Sequence, residues 1–293
     1  MRLKVLINAS SGGGRGRQLF PTIREKLNAM GIEADVSLSH SAQEALAIAA
    51  EARQQGYDFL ISGGGDGTIH RLLPAVVNQP MGLGVIPLGT ANDLARSWGI
   101  PPDLDSALAI LGRGQSRLMD VIQTDSGEYI AGAAGIGFDV AVVERAERIW
   151  RRWRRGTIPF IMGTIIEFYT YRLPYLSIHG DRWRFEGPAW QAIFTKIPRY
   201  ALLLKVTPST NRDDGQMTVC IVPHIPKTKM FFLFPFFLLL GLKRIRSAQY
   251  YSAPSVQVES SGPLSIHGDG EVIGQTPVTF KVLPKALKVL IAQ

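Results

Sequence analysis

An aspartate set among glycines is the first group of residues in the chain whose types and spacing could do chemistry. Residues 63–68 read GGGDGT and follow directly on the apolar residues 59–61. Glycines have no Cβ, so their N–H groups can close on an anion, and a helix that starts just after them adds its positive end. A glycine run alone usually marks only a turn. Its place after a strand-like run predicts a phosphate site in which Asp66 handles a metal ion, and a triphosphate suits such a site.

A second turn of small and acidic residues follows the next strand-like run. Residues 87–93 read PLGTAND and come directly after an apolar segment. Ligands of open α/β sheets bind at the carboxyl ends of the strands, so we expect Asp66 and Asp93 to share a metal ion through water. The alternative is that Asn92 or Asp93 only caps the helix that begins at Leu94, and the two roles are compatible.

A third turn suited to an anion lies at the start of the chain. Residues 8–16 read NASSGGGRG and follow residues 3–7, which have the pattern of a buried strand. The turn matches neither of two familiar nucleotide motifs. No Gly-Lys-Ser/Thr closes a Walker A loop, and the last glycine of a G-x-G-x-x-G pattern would fall on Leu19. Generic P-loop and Rossmann interpretations are therefore disfavoured.

Two carboxylates lie two residues apart near the other end of the chain. Residues 265–271 read SIHGDGE, which places Asp269 and Glu271 in a turn loosened by glycines. Either carboxylate could accept the proton of a hydroxyl that attacks a phosphoryl group. The alternative is an ordinary hairpin turn at the surface.

The elements that must position these residues change in character along the chain. From residue 1 to about 117, strand-like runs alternate with helically spaced apolar residues. This pattern predicts a twisted, mostly parallel sheet with helices on both faces. After residue 120, short β-like runs such as 129–133 are separated by Gly, Pro and Asp, as in a sandwich or barrel. One helical insertion, from residue 140 toward residue 171, interrupts them.

Taken in order, the motifs make the chain similar to the bacterial diacylglycerol kinase family of lipid kinases, which is related to sphingosine and ceramide kinases. The glycine-aspartate motif alone is shared with NAD kinases, so the resemblance depends on its combination with the PLGTAND turn and the terminal Asp-Gly-Glu. The matching segments span nearly the whole chain and are residues 8–12, 64–68, 87–96, 119–120, 135–139, 213–215 and 269–271.

The resemblance implies two domains and a reaction. We expect an α/β nucleotide-binding domain with a mostly parallel sheet at residues 1–120 and a β-rich sandwich domain for the lipid at residues 121–279, with residues 280–293 packing back on the first domain. The implied activity is ATP-dependent phosphorylation of a lipid hydroxyl, with diacylglycerol converted to phosphatidic acid. Two alternatives stay open: a soluble NAD-kinase-like kinase, and a catalytically silent regulator that binds lipid or nucleotide.

The resemblance also assigns residues to roles. The catalytic pair would be Asp269 and Glu271. Magnesium on the ATP phosphates would be held partly through Asp66, Asp93 and Asp120, and a structural magnesium would bind the side chain of Asp214 and the carbonyls of Asn211 and Gln216. The residues expected to bind ATP are Asn8, Ala9, Ser10, Ser11, Gly12, Ser39, Gly64, Gly65, Asp66, Gly67, Thr68, Ile69, His70, Arg71, Thr90 and Asn92.

Two segments depart from the family pattern. After Ile69 the family usually continues with asparagine and glutamate, whereas this chain has His70 and Arg71. From residue 194 onward, the usual asparagine and paired glycines give way to a segment that contains Lys196. The second segment is expected to face the substrate, so the identity of the lipid is left open.

Composition and charge indicate an anionic partner. The net charge of +8 and the pI near 9.7 fit a nucleotide, an anionic bilayer or nucleic acid. Much of the charge is concentrated at residues 145–155, where arginines surround two tryptophans, a mixture that suits a lipid headgroup interface, a solvated face or stacked bases. No nucleic-acid module accompanies it. Cys220 is the only cysteine, which excludes an intrachain disulfide and favours a place in the core.

The apolar run at residues 230–242 bears on the membrane. It is thirteen residues long, is broken by Pro235 and has basic residues on both sides. A helix needs about 20 apolar residues to span a bilayer, so the run is expected either to lie at the interface or to be buried as a core helix. We expect a cytoplasmic protein at the inner face of the membrane that binds a lipid substrate and anionic phospholipid, but no nucleic acid. A homodimer is allowed.

Overall fold

The computed structural model describes residues 1–113, 115–150, 158–200, 204–206, 213–232 and 247–292. Residues 151–155 of the arginine cluster, residues 233–242 of the apolar run, and the predicted ligand Asn211 lie outside these residues. Among the described residues, no helix is both long enough and apolar enough to span a membrane.

The first part of the chain is built around a parallel sheet. Strands β3 and β4 are buried along their whole length, as expected of parallel strands covered by helices on both faces. The strand order is β2-β1-β3-β4, and every pair in it is parallel. The elements of this part are β1 Leu3–Asn8, α1 Ser11–Ala29, β2 Ala34–Ser39, α2 Ala42–Gln54, β3 Phe59–Gly64, α3 Asp66–Val76, β4 Gly82–Pro87, α4 Asp93–Ser97 and α5 Leu104–Arg113.

The second part is rich in antiparallel strands and carries two helices. Its buried core is continuous and includes Phe194 and Phe280, whose rings stack with centroids 4.5 Å apart. The elements are β5 Ser116–Thr124, β6 Tyr129–Ile130, β7 Ala133–Gly137, α6 Phe138–Trp150, α7 Ile158–Thr170, β8 Tyr175–His179, β9 Arg184–Thr195, β10 Arg199–Tyr200, β11 Leu204–Lys205, β12 Met217–Pro223, β13 Gln249–Ala253, β14 Ser255–Ser260, β15 Ser265–Gly268, β16 Glu271–Gln275 and β17 Val278–Leu290.

A cluster of aromatic side chains holds α6 and α7 against the sandwich. The ring of Trp190 in β9 lies 5.5 to 5.9 Å, centroid to centroid, from Phe138, Phe168 and Tyr171. Its indole N–H donates to the carbonyl of Ile225 at 2.9 Å. The two helices are also joined by an ion pair, Arg145 Nε to Glu167 Oε2 at 2.6 Å. The helical insertion is therefore a packed part of the sandwich domain.

Strand β17 connects the two parts. Its first half pairs antiparallel with β14, and Val289 near its end pairs in parallel with Leu83 of β4. Along most of its length it also pairs with β5, but the register shifts between Leu283 and Leu287. Lys285 lies in this bulge with a φ of 53°. One strand thus belongs to the sandwich at one end and to the parallel sheet at the other.

The predicted fold class is confirmed in its main lines: an α/β domain with a mostly parallel sheet and a β-rich sandwich. One local expectation was wrong. The run at residues 129–133 is not one strand, because it breaks between β6 and β7 where its amides bind a carboxylate described below. The expected helical insertion is present, and its described residues form α6 and α7. Cys220 is fully buried, and burial raises the pKa of its thiol to about 12.

Candidate active site

The loops after β1, β3 and β4 meet at one edge of the parallel sheet. Asn8 Nδ2 donates to Thr68 Oγ1 at 2.9 Å. A Cβ on Gly89 would lie 2.4 Å from the Cα of Gly65, and a Cβ on Gly12 would lie 2.4 Å from the carbonyl oxygen of Leu88. These distances are too short for any side chain, so only glycine permits the three loops to approach each other. The convergence predicted from the strand ends is present.

The first loop has the backbone shape of an anion-binding turn. Gly12, Gly13 and Gly14 all have positive φ angles, although they lie within the helical segment α1. A Cβ on Gly13 or Gly14 would meet nothing within 4 Å, so this stretch of backbone faces open space. Ser10 donates its backbone N–H and its hydroxyl to Asn8 Oδ1 at 3.1 and 2.9 Å. The side chain of Asn8 therefore fixes the start of the loop.

Asp66 links the second loop to the third. Its two carboxylate oxygens accept the backbone N–H groups of Asp93 at 3.1 Å and Leu94 at 2.9 Å, at the start of α4. Burial raises the pKa of Asp66; the two amide bonds partly offset this, and the charges of Asp93 and Asp269 add to it. A buried carboxylate with two acidic neighbours favours a cation beside it. Asp66 and Asp93 lie next to each other here, and their role in holding magnesium on the ATP phosphates stays a prediction.

The side chain of Asn92 has a different role from the capping considered above. Asn92 is the residue before α4 and has a left-handed backbone with a φ of 52°, but its side chain makes no cap hydrogen bond. Instead its Oδ1 accepts the Gly89 N–H at 3.0 Å and its Nδ2 donates to the Gly89 carbonyl at 2.9 Å. Asn92 closes the third loop on itself, while Asp66 caps α4.

Ser39, at the end of β2, lies beside the first loop. It is buried, its carbonyl accepts the Ala9 N–H at 2.9 Å, and its hydroxyl donates to the carbonyl of Ser41 at 2.8 Å. Thr90 is exposed in the third loop. The roles of Ser39, Thr90 and the other loop residues in holding ATP stay predictions.

Asp269 anchors the Asp-Gly-Glu turn by buried hydrogen bonds. Its Oδ2 accepts the Ala131 N–H at 2.8 Å, and its Oδ1 accepts the N–H groups of Gly132 and Ala133 at 2.8 and 3.1 Å. Its side chain is 1% exposed, and its φ is 51°. A Cβ on Gly132 would lie 2.7 Å from this carboxylate. Asp269 is thus enclosed by three amides of the β6–β7 connection.

Glu271 lies at the open side of the same turn. Its carboxylate is 39% exposed and accepts from Arg71 Nη2 at 2.8 Å. Its Oε1 lies 2.6 Å from the position that a Cβ on Gly67 would occupy. The glycine-aspartate turn of the first domain and the Asp-Gly-Glu turn of the second therefore meet directly, although 200 residues of chain separate Arg71 from Glu271.

The two departures from the family pattern at residues 70 and 71 face the carboxylates of the Asp-Gly-Glu turn. His70 Nδ1 lies 3.5 Å from Asp269 Oδ2, and its side chain is 10% exposed. Burial alone lowers the pKa of His70, but its interactions with Asp269, Glu128 and Glu271 outweigh burial and raise the pKa above its usual value. Each carboxylate of the turn consequently has one basic side chain from α3. This pairing was not foreseen from the sequence.

Asp120 does not join Asp66 and Asp93, and this corrects the sequence-based assignment. Its Oδ2 accepts from Lys196 Nζ at 3.0 Å and from the Gly215 N–H at 2.8 Å, and its Oδ1 accepts the Lys285 N–H at 2.9 Å. Its side chain has no exposure to solvent. Both oxygens are already used, so Asp120 is part of an internal ion pair. In the described ranges, no three His, Cys, Asp or Glu side chains form a group suited to a metal ion.

The predicted ligands of a structural magnesium face the same lysine. Lys196 Nζ donates to Asp214 Oδ1 at 2.8 Å and to the carbonyl of Gln216 at 2.5 Å. Both atoms had been assigned to the metal. The residues present do not fit a divalent cation at that position, because a buried ammonium group already contacts the two oxygens. Lys196 was visible in the sequence only as a departure from the family pattern.

The fold and the facing turns are those of a two-domain kinase, in which the glycine loops come from the first part of the chain and the Asp-Gly-Glu turn from the second. Residues 2–124 match the family model described as the diacylglycerol kinase catalytic domain, and residues 132–291 match the model described as the YegS C-terminal NAD kinase beta sandwich-like domain. The chain belongs to the bacterial diacylglycerol kinase-like family of lipid kinases.

Individual relatives are similar to this protein along almost the whole chain. A diacylglycerol kinase of Mycobacterium tuberculosis is 27% identical over 295 residues, which cover 99% of this chain and 94% of the relative. A diacylglycerol kinase of Staphylococcus saprophyticus is 25% identical over 290 residues, with coverage of 98% and 94%. The crystal structure of a diacylglycerol kinase from Bacillus anthracis superposes with a TM-score of 0.79 at 19% identity, covering 99% of this chain and 97% of that one. This last similarity shows the fold.

Proposed function

We propose that this lipid kinase transfers the γ-phosphoryl group of ATP to the free hydroxyl of diacylglycerol, giving phosphatidic acid and ADP. The observation that carries the proposal is the position of Glu271, a partly exposed carboxylate that lies against Gly67 in the glycine-aspartate turn. A proton acceptor at a phosphate-binding turn is the arrangement that phosphoryl transfer to an alcohol requires. The relatives named diacylglycerol kinase support the choice of acceptor.

Glu271 is the stronger candidate for the base. The oxygens of Asp269 already accept three amide N–H groups and face His70, so a substrate hydroxyl would have to compete with bonds that hold the turn. Glu271 has one partner, Arg71, and is open to solvent. We therefore assign proton acceptance to Glu271 and the positioning of the turn to Asp269.

The three glycine loops would hold the triphosphate through backbone N–H groups. Asp66 and Asp93 would hold magnesium, which when bound offsets negative charge on the phosphates. Asp66 also orders the third loop by accepting the amides of Asp93 and Leu94. Most of the acceleration would come from positioning the acceptor and the nucleotide against each other, since the protein makes no covalent bond to the phosphoryl group.

An exposed apolar face on α7 supports peripheral binding to a membrane. Every fourth residue along it is exposed: Ile161 by 52%, Ile165 by 54% and Tyr169 by 65%. Phe231 and Phe232 are exposed by 55% and 72%, and the ring of Phe231 lies 6.1 Å from that of Phe168. The face, defined here as Ile161, Met162, Ile165, Tyr169, Phe231 and Phe232, has the composition of a surface that inserts shallowly among lipids.

Charge near this face favours anionic phospholipid. Arg172 lies two residues after the end of α7 and Lys229 lies two residues before Phe231, and both residues are exposed. Basic residues next to an apolar surface add about 1 kcal/mol each to binding at an anionic leaflet. The proposed orientation places the α7 face on the inner leaflet. Homodimer formation stays a prediction.

The direct test of the proposed reaction supplies labelled ATP, magnesium and mixed vesicles that contain diacylglycerol, ceramide or neither, with NAD in a separate reaction. We expect label in phosphatidic acid, and vesicles without diacylglycerol should give none. Label in ceramide phosphate would replace the proposed acceptor. Label in NADP would overturn the lipid acceptor altogether.

The membrane part is tested separately by flotation with vesicles of neutral and of anionic lipid. Ile165→Asp should reduce binding to anionic vesicles at least tenfold, whereas Leu46→Asp on α2, where the leucine is 45% exposed, should not. High salt should weaken binding of the wild type, because exposed charges are screened. Equal binding of Ile165→Asp and the wild type would exclude the α7 face as the docking surface.

A further inference from the structure

The ammonium group of Lys196 is enclosed by residues of the second part of the chain. Its side chain is 2% exposed, and Nζ contacts Asp120 Oδ2 at 3.0 Å, Asp214 Oδ1 at 2.8 Å and the carbonyl oxygen of Gln216 at 2.5 Å. An ammonium group has three N–H donors and no acceptor. Three oxygens therefore satisfy it completely.

The oxygens around Lys196 hold several distant segments of chain together. Asp120 belongs to β5 and also accepts the N–H groups of Gly215 and Lys285. Asp214 Oδ1 also accepts the Gln216 N–H at 3.0 Å. Lys196 itself follows β9, and Lys285 lies in the bulge of β17. The cluster thus ties β5, the end of β9, the turn at residues 213–216 and the bulge of β17 to a single positive charge.

The same oxygens are of the kind that a hard divalent cation prefers. Carboxylates and backbone carbonyls are typical ligands of Mg²⁺ and Ca²⁺, and a metal ion would contact the atoms that Lys196 Nζ contacts. A metal and the ammonium cannot occupy one position, and displacing Lys196 would leave a buried ammonium without partners, which is strongly unfavourable. Two carboxylates at this position require a positive charge beside them, and the ammonium group of Lys196 provides it.

We infer that Lys196 replaces a structural divalent cation in this protein, so that β5, the end of β9, the turn at residues 213–216 and the bulge of β17 are held together without bound metal. Magnesium would then be needed for the nucleotide alone. The inference concerns stability and does not depend on which lipid is phosphorylated.

The first test uses the wild type without nucleotide. Thermal unfolding is followed in excess EDTA and in excess MgCl₂, and metal content is measured after dialysis against EDTA. We expect the same Tm in both solutions and no retained metal. A Tm that falls in EDTA and returns with magnesium would overturn the inference, whatever the variants show.

The second test uses Lys196→Asn, which removes the ammonium and leaves the carboxylates. In EDTA its Tm should fall by roughly 10 °C, the scale expected when one partner of a buried ion pair is removed. Added MgCl₂ or CaCl₂ should recover at least half of that loss, because the vacated oxygens then bind the ion. Lys281→Asn, at an exposed lysine of β17, is the matched control and should respond to neither.

Two outcomes would contradict the replacement. One is a Lys196→Asn Tm equal to that of the wild type in EDTA, which would mean that the charge is not needed. The other is a lowered Tm that no divalent cation raises, which would mean that the oxygens do not form a cation site. Phosphorylation of lipid by the wild type is unaffected by either result, so failure here is distinct from failure of the proposed reaction.

Discussion

Two pairs of carboxylates face basic side chains in this protein, and they differ in how their oxygens are used. Asp120 and Asp214 converge on Lys196, and the cluster closes around an ammonium with three acceptors. Asp269 and Glu271 each face a different basic residue, and only Asp269 is closed off by amides. Burial and charge pairing are common to both pairs, so the proposal of Glu271 as the base depends instead on its exposed carboxylate.

The largest effect that would test this comparison comes from Glu271→Gln. Turnover should fall on the order of 10²- to 10⁴-fold because the proton acceptor is lost, whereas Tm should hardly change since the Arg71 pair is exposed. Steady-state kinetics with ATP and diacylglycerol vesicles, together with thermal unfolding, measure both. Glu259→Gln on β14, an exposed position, is the matched control.

Asp269→Asn completes that test. The amide NH₂ of asparagine cannot accept the N–H groups that the carboxylate now accepts, so Tm should fall along with turnover. A variant with unchanged Tm and lost turnover would exchange the roles assigned to the two carboxylates.

The next largest effect is expected from Asp66→Asn. Asp66 differs from both pairs, because its carboxylate caps a helix and lies beside the glycine loops. Turnover should fall on the order of 10²-fold, and loss of one cap bond, at about 1 kcal/mol, should lower Tm by about 2–4 °C. Asp103→Asn is the control, since Asp103 accepts the Ser106 N–H at 2.8 Å near the start of α5. Asp103→Asn should lower Tm about as much as Asp66→Asn does but should leave turnover normal. Unchanged metal dependence in Asp66→Asn would remove Asp66 from the magnesium site.

A smaller effect is expected from Arg71→Gln, which opens the Glu271 pair. Turnover should drop by roughly threefold to tenfold because Glu271 loses the partner that orients it, and Tm should stay within the small range typical of exposed ion pairs. Arg71→Lys keeps the positive charge but lacks the planar guanidinium group, so its turnover should lie between that of Arg71→Gln and that of the wild type. If Arg71→Gln were as inactive as Glu271→Gln, Arg71 would itself contact the reacting groups.

The smallest effect concerns pH and His70. A histidine whose pKa is raised on folding stabilises the folded state below its unfolded pKa of about 6.5, and this stabilisation is lost as the pH rises through the raised folded value. Wild-type protein should therefore exceed His70→Asn in Tm by about 2–4 °C near pH 6, with the difference shrinking toward about pH 9. His224→Asn, at an exposed histidine, should show no such trend. A constant difference at every pH would mean that packing rather than charge matters at residue 70.

The sequence predicted the parts of the site that depend on local pattern. The loops after β1, β3 and β4 could be placed together because the carboxyl ends of parallel strands share one edge, and glycines marked where the backbone approaches closely. The fold class and the lipid kinase family were predicted from the order of the motifs and are confirmed. The domain boundaries and the roles of individual residues stay predictions.

What could not be predicted depends on contacts between distant residues. Asp269 binds amides at residues 131–133, more than 130 positions away, and so breaks a run that has the pattern of one strand. Lys196 meets Asp120 across 76 residues. Neither sequence separation leaves a periodic signal, so the unusual segment that contains Lys196 was interpreted as a substrate-facing region and not as the source of an internal cation.

The shared strand β17 has a consequence for biosynthesis. The edge of β4 that pairs with Val289 has no partner until residues 278–290 have left the ribosome, so the nucleotide-binding half emerges long before its sheet can be completed. An unpaired edge of a hydrophobic sheet is a site for wrong associations. The nascent first domain consequently keeps this side open until β17 is made, and β17 then completes the sheets of both parts.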